Sequence, residues 1–272
     1  MGYLLDGDNW RWLGEGRNLR FLLDAFANNV IIALIAMALS LIFGLMLALM
    51  RLSKNRWVSR SAGIWIDVWR NLPLIFILLY LFIGLPKGVK RAYVEFVPDW
   101  MPDLFQLDFF LAAILGLTIY NSAVIAEIMR AGIISLEKGQ GEAASALGLP
   151  YWKAMRLIIL PQGLRRMVPA TVSQLITLTK DTSLTSIINI QEVVNAGQIV
   201  NQTAGSPFVD PGGADAPILH VFLVVGAMFV IFNLILSRIS RRLEIRERKR
   251  TGTKIERVTG LEDQVALEAD VA

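Results

Sequence analysis

Lys180, Asp181 and Ser183 are the residues of this chain best placed to do chemistry, because they sit inside a largely apolar stretch, Met167 to Ile190. An unpaired Lys at the centre of a membrane-spanning helix costs about 3 kcal/mol on insertion scales, so such a side chain faces protein or water. One cation, one anion and one hydroxyl at that depth match a zwitterionic amino acid: its ammonium takes an anion, its carboxylate a cation or an N–H donor. Steps of three, four and seven put Thr171, Gln174, Asp181 and Thr185 on one helical face, with Ser173, Thr177, Lys180 and Leu184 on the stripe beside it. Asn121 and Ser122, in the apolar stretch Phe109 to Ala126, are further candidates for substrate contact. Amide and hydroxyl groups in lipid also serve helix packing. Lys180 and Asp181 equally fit pairing with other helices that only holds a bundle together; residue chemistry leaves both readings open.

A second pattern is polar and lies between two apolar stretches. Glu142-Ala143-Ala144-Ser145-Ala146-Leu147-Gly148 is followed, after nine further residues, by Ile158-Ile159-Leu160-Pro161. The spacing predicts a short helix over Glu142 to Leu147 stopped by Gly148, then Leu149, then a second helix started by Pro150. Such an elbow, within Leu136 to Arg166, presents a compact knob that fits a groove in a partner. An ordinary amphipathic loop is the plain alternative.

The elements that must hold these residues are membrane helices. A mean hydropathy of +0.52 over 272 residues is too high for an ordinary soluble domain. Without Cys, the chain has no disulfide, thiol chemistry or thiolate metal site, and its one His, His220, rules out a His-based cluster. No G-x-x-x-x-G-K-S/T occurs, so the chain is not itself a P-loop ATPase. No resident metal or cofactor is expected, and no nucleic-acid partner. The first residues lack a basic segment leading into an apolar run, so a cleaved signal peptide is not expected.

Five stretches read as spans: Val30 to Met50, Ile64 to Leu85, Phe109 to Ala126, Met167 to Ile190 and Ile218 to Leu236. The second is interrupted by Asp67, Arg70, Asn71 and Pro73, so its clean part is Leu72 to Leu85. The fourth is the least apolar. With the N-terminus outside, inward segments hold nineteen basic residues and outward ones six, the positive-inside pattern for five crossings and an inward C-terminus. That orientation puts the elbow in the cytoplasm. Outward, Pro86 to Asp108 carries interfacial aromatics, and Asn201 to Pro217 reads as a flexible Gly- and Pro-rich loop.

The Glu-Ala-Ala elbow with its glycine and Leu160-Pro161 resembles the signature of permease subunits of bacterial ABC importers. Four ordered segments resemble the branch that imports polar amino acids. They are Arg70-Asn71-Leu72-Pro73-Leu74, Ala126-Glu127-Ile128-Met129-Arg130-Ala131-Gly132, Gly139-Gln140-Gly141-Glu142-Ala143-Ala144 and Lys180-Asp181-Thr182-Ser183-Leu184. The likeness runs from about Ala25 to Arg242.

The resemblance implies an all-α membrane protein of five transmembrane helices with the type I ABC importer permease fold. Residues 1–24 would form an external segment, 25–242 the membrane domain with its elbow at about 136–166, and 243–272 a cytoplasmic, disordered tail. It further implies a second permease subunit, two ABC ATPase subunits docked on the elbows, and an extracytoplasmic amino-acid-binding protein. ATP and Mg would be used by the ATPase, not by this chain.

By the same resemblance Glu142, Ala143, Ala144, Ala146, Leu147, Gly148, Leu149 and Pro150 would couple to the ATPase. Lys180, Asp181, Ser183, Gln174, Asn121 and Ser122 would touch substrate. Arg70, Pro73, Glu127 and Arg130 are expected in gating or structural roles, the last pair as an intrahelical ion pair. His220 is expected to pack, and Gln191 and Glu192 to form an outer rim. Glutamate is the expected cargo, with basic amino acids or glutamine as alternatives. A secondary transporter driven by an ion gradient is the reading from another class; such folds usually carry more spans and inverted repeats.

Overall fold

The computed structural model describes residues 6–136, 138–204, 206 and 214–251. Apolar runs with no water to solvate their backbone must satisfy it internally, and the chain does so with helices. Helix α1 (Gly16–Arg51) runs without a break through the first expected span and well beyond its N-terminal end. Next comes α2 (Arg56–Asn71), whose N-cap Asn55 accepts a hydrogen bond from the Trp57 N–H, and then α3 (Leu74–Gly84). Between them Leu72 is forced into extended backbone (φ −80°, ψ 133°) by the proline that follows. The two helices therefore meet at 98°.

The short helix α4 (Lys87–Phe96) leads to α5 (Asp108–Ile134), which packs most extensively against α1. After the elbow helix α6 (Lys138–Ala146), a one-turn helix (Tyr151–Ala154) and a π-helical turn (Met155–Ile159), α7 runs from Leu160 to Asp181. It tightens into a 3₁₀ turn over Thr182–Ile188. Helix α8 (Val193–Thr203) and the long α9 (Ile218–Thr251) complete the bundle.

Helices α1, α5 and the Ile218–Arg246 part of α9 are long and apolar enough to cross a bilayer, and the bent α2–α3 pair makes up to four. Five crossings were expected. Helix α7 fails on composition, since Gln162, Arg165, Arg166, Gln174, Lys180 and Asp181 all lie on it. It is packed among α5, α9 and α1 all the same. Of the expected tail, residues 243–251 continue α9, and 252–272 lie outside the described residues. Of the expected loop, residues 201–203 are instead the last turn of α8, and residues 205 and 207–213 lie outside the described residues.

Two apolar clusters organise the packing. The larger joins α1, α2, α3, α5 and α7 around Ile32, Leu78, Leu117, Ile125 and Leu178. The smaller caps the end of the bundle that carries α8, where Trp12 packs with Leu22, Val193, Val200, Val221 and Val225.

Helices α5 and α7 cross at two glycines just above the elbow. A Cβ on Gly132 would run into the Met167 side chain and stand 3.2 Å from the Gly163 carbonyl oxygen. One on Gly163 would meet Ile133 Cγ1 at 2.9 Å and its Cα at 3.2 Å. Backbone cannot yield as a flexible side chain can. Gly163→Leu is therefore expected to cost at least about 2 kcal/mol by overpacking, read as a lowered thermal unfolding midpoint in detergent. An unchanged midpoint would show that the crossing has slack.

Candidate functional site

The elbow follows from its local sequence. Helix α6 ends at Ala146, and Gly148 takes a left-handed φ of 72°, where an L side chain is strained. The Gly148 N–H donates to the Ser145 carbonyl (2.9 Å) and the Leu149 N–H to the Ala144 carbonyl (3.0 Å). These are the paired bonds of a Schellman cap. Pro150 then caps the one-turn helix Tyr151–Ala154. The knob has a buried inner side at Ala144 and an exposed outer side with Glu142, Ala143, Ala146, Gly148 and Pro150. Leu147 is 77% exposed and Trp152 68%, large apolar side chains left mostly uncovered by the described residues. Leu149 is half-buried.

The elbow is tied down at both ends. The Tyr151 hydroxyl donates to the Leu52 carbonyl (3.4 Å), and the Lys54 ammonium sits 4.7 Å from the centre of the Tyr151 ring. Arg166 Nη1 donates to the Ser135 carbonyl at 2.7 Å. Behind the knob is a cavity of about 650 Å³ lined by Lys54, Glu142, Ser145 and Tyr151 among others.

The second group lies at the far end of α7. Lys180 is exposed, and Asp181 and Ser183 are partly so. Neither the Lys180 ammonium nor the Asp181 carboxylate has an ion-pair partner on another helix among the described residues. The Ser183 hydroxyl donates to the Lys180 carbonyl (2.7 Å). Ser173, Thr177, Lys180 and Ile187 make an uncovered stripe at helical spacing.

Two of the other candidates are used on each other. Gln174 Nε2 donates to Asn121 Oδ1 at 2.8 Å, while Asn121 Nδ2 donates to the Leu117 carbonyl at 3.0 Å. Asn121 is fully buried, and Ser122 is buried with its hydroxyl on the Ile119 carbonyl. These contacts join α5 to α7 and leave Asn121 and Ser122 little surface to offer a solute.

Glu127 and Arg130 form the expected intrahelical pair, with Oε2 2.9 Å from Nε and 2.8 Å from Nη2. Arg70 and Pro73 are exposed at the α2–α3 bend. His220 is fully buried and meets Trp10 edge to face at 4.7 Å.

Glu192 departs from the expected rim: it is fully buried and accepts hydrogen bonds from Asn29 Nδ2 (3.0 Å) and the Asn195 N–H (2.7 Å). Burial pushes its carboxyl above the usual range, and those hydrogen bonds oppose the shift. Its acidic start to α8 is a legible capping signal. Its partner 163 residues away was not legible.

Residues 40–249 match the family described as the inner membrane component of binding-protein-dependent transport systems. The chain belongs to that family. Over 232 residues the permease is 38% identical to a probable glutamine ABC transporter permease of Bacillus subtilis, covering 85% of this chain and 95% of that one. It is 31% identical to an arginine transport permease of the same organism (82% and 91% covered). It is also 31% identical to a glutamate/aspartate import permease of Escherichia coli O6:H1 (83% and 92% covered).

A crystal structure of an amino acid ABC transporter with histidines superposes with a TM-score of 0.69 at 24% identity, over 86% of this chain and 98% of that one. An inward-facing methionine ABC transporter gives 0.60 at 19% identity, over 83% and 97%. The fold is therefore that of ABC importer permeases. The permease is a multi-pass protein of the cytoplasmic membrane, and every candidate residue named above falls in the matched region.

Proposed function

We propose that this permease is the subunit through which a polar amino acid crosses the cytoplasmic membrane by alternating access, driven by ATP hydrolysis on separate ABC ATPase subunits. The carrying observation is the glycine-capped elbow, which exposes Leu147 and Trp152 around a rigid backbone turn. Exposed apolar side chains on a rigid knob fit a partner's groove. The ATPase binds ATP and Mg, and its closure moves the elbow. Five crossings (α1, the bent α2–α3 pair, α5, α7 and α9) with the N-terminus outside put the elbow on the cytoplasmic side.

A polar helix such as α7 crosses lipid only when covered by protein or water. A second permease subunit, identical or related, faces its open stripe across the pathway, and an external amino-acid-binding protein delivers cargo. Lys180, Asp181 and Ser183 line that path; Gln174 lies beside it.

Glutamate is the cargo the sequence suggests, and the 38% identity to a glutamine permease sets glutamine beside it. The test is a binding screen of the twenty amino acids against the receptor that copurifies with the complex, followed by ATP-dependent uptake in vesicles. Tight binding and uptake of glutamate or glutamine is expected. A receptor that binds none of the twenty, or uptake driven by an ion gradient without ATP, would overturn the reading.

A further inference from the structure

Immediately after Lys180 and Asp181 the backbone tightens into the 3₁₀ turn Thr182–Ile188, closed by Asn189 at a left-handed φ of 63°. Behind this turn three side chains, Asn29, Thr182 and Glu192, are fully buried. They come from α1, from the turn and from the N-cap of α8. Asn29 Nδ2 donates to Thr182 Oγ1 and to Glu192 Oε2, both at 3.0 Å. Asn29 Oδ1 accepts the Val193 N–H at 2.9 Å, and Glu192 Oε1 the Asn195 N–H at 2.7 Å. Thr182 donates its own proton to the Thr179 carbonyl at 2.7 Å. Next to this trio, Asn28 Nδ2 donates to the Gln191 carbonyl at 2.9 Å.

Packing alone does not call for this arrangement. A buried carboxyl group loses its hydration, and an apolar side chain of similar volume fills space without that cost. What hydrogen bonds add is direction: they hold partners at one distance and one angle, and a buried network leaves no second arrangement in which all its members are satisfied. Here the direction fixed is that of the turn carrying Ser183 and following Lys180 and Asp181.

We propose that Glu192, acting through Asn29 and Thr182, is a positioning residue of the translocation path. It sets the depth and rotation of the Lys180–Ser183 segment against α1 and against the external helix α8. The role rests on the reading of that segment as path lining. Because α8 also belongs to the cap with Trp12 and Val221, the same network ties the receptor-facing end of the permease to the path.

The test uses the reconstituted complex. Glu192→Ala is expected to lower ATP-driven uptake at saturating loaded receptor about tenfold, with basal ATPase activity held within about twofold. Glu192→Gln keeps an oxygen to cap α8 but sets an amide NH2 against the Asn29 Nδ2 donor, so it is expected to lower uptake at least about threefold with the cap kept. Uptake and basal ATPase falling together, or wild-type uptake by Glu192→Gln, would reduce Glu192 to a cap and stabiliser of the fold and overturn the proposal.

A second arm needs no cargo. The chain has no cysteine, so Ser183→Cys labelled before reconstitution gives one spin-label site per permease chain. Glu192→Ala is expected to add a mobile component to its spectrum, and an unchanged spectrum overturns the proposal. If the wild-type complex transports no amino acid, the cargo reading fails and the spin label still decides the positioning. Should Glu192→Ala fail to insert, Thr182→Val keeps both the volume and the α8 cap. It is expected to mobilise the label and lower uptake about threefold; no change in either overturns the proposal.

Discussion

Glu142→Arg is expected to abolish ATP-driven uptake, by at least about a hundredfold, while the protein still inserts in the membrane and folds. Glu142 is exposed on α6, and none of the hydrogen bonds that close the elbow involves its side chain. Reversing its charge therefore leaves the Schellman cap at Gly148 and the seat on Ala144 intact. On the proposed function, what changes is the docking surface: a cation replaces an anion where a partner's groove would close. A like-charge or unpaired contact in a desolvated interface costs several kcal/mol, and each 1.4 kcal/mol is a factor of ten in affinity. The measurement is uptake in vesicles holding the permease, its ATPase and its receptor, with co-purification of the ATPase as the second readout. Wild-type uptake by the variant would remove Glu142 from the coupling surface.

Lys180→Ala is the other large effect. The ammonium is exposed on α7 and has no ion-pair partner among the described residues. A cation kept in the proposed span at about 3 kcal/mol, without an ion-pair partner among the described residues, points to a partner on another molecule. A substrate carboxylate fits that role. Losing a charge-assisted hydrogen bond costs about 1.5–3 kcal/mol, so substrate-stimulated ATPase activity is expected to fall about thirtyfold. Basal turnover, which uses no substrate, is expected to stay within about twofold. Equal loss of both activities would mean that Lys180 serves assembly of the two permease subunits and not the cargo.

Parts of this site were readable because their causes are local. Gly148 and Pro150 act on their own backbone torsions, so the elbow's break falls where the residue types placed it. Pro73 ended α2 in the same way. Other features were not readable. The sequence offered Asn121 as a substrate ligand, and the fold uses it on Gln174 instead. It offered Glu192 as part of an exposed rim, and the fold buries it against Asn29. Nothing along the chain explains Gly132; Gly163, packed against it across the α5–α7 crossing, does.

What the sequence alone determined is the class of protein, the elbow and the polar stripe of α7. Hydropathy, turn residues and helical spacing are properties of neighbours along the chain, and they act before any tertiary contact forms. The tertiary structure decided which polar side chains remain free for a solute and which are spent on one another. That choice belongs to pairs such as Asn29 and Glu192, 163 residues apart. Their hydrogen bonds exist only once α1 and α8 have packed, because a donor has no preferred acceptor until the fold removes water from both.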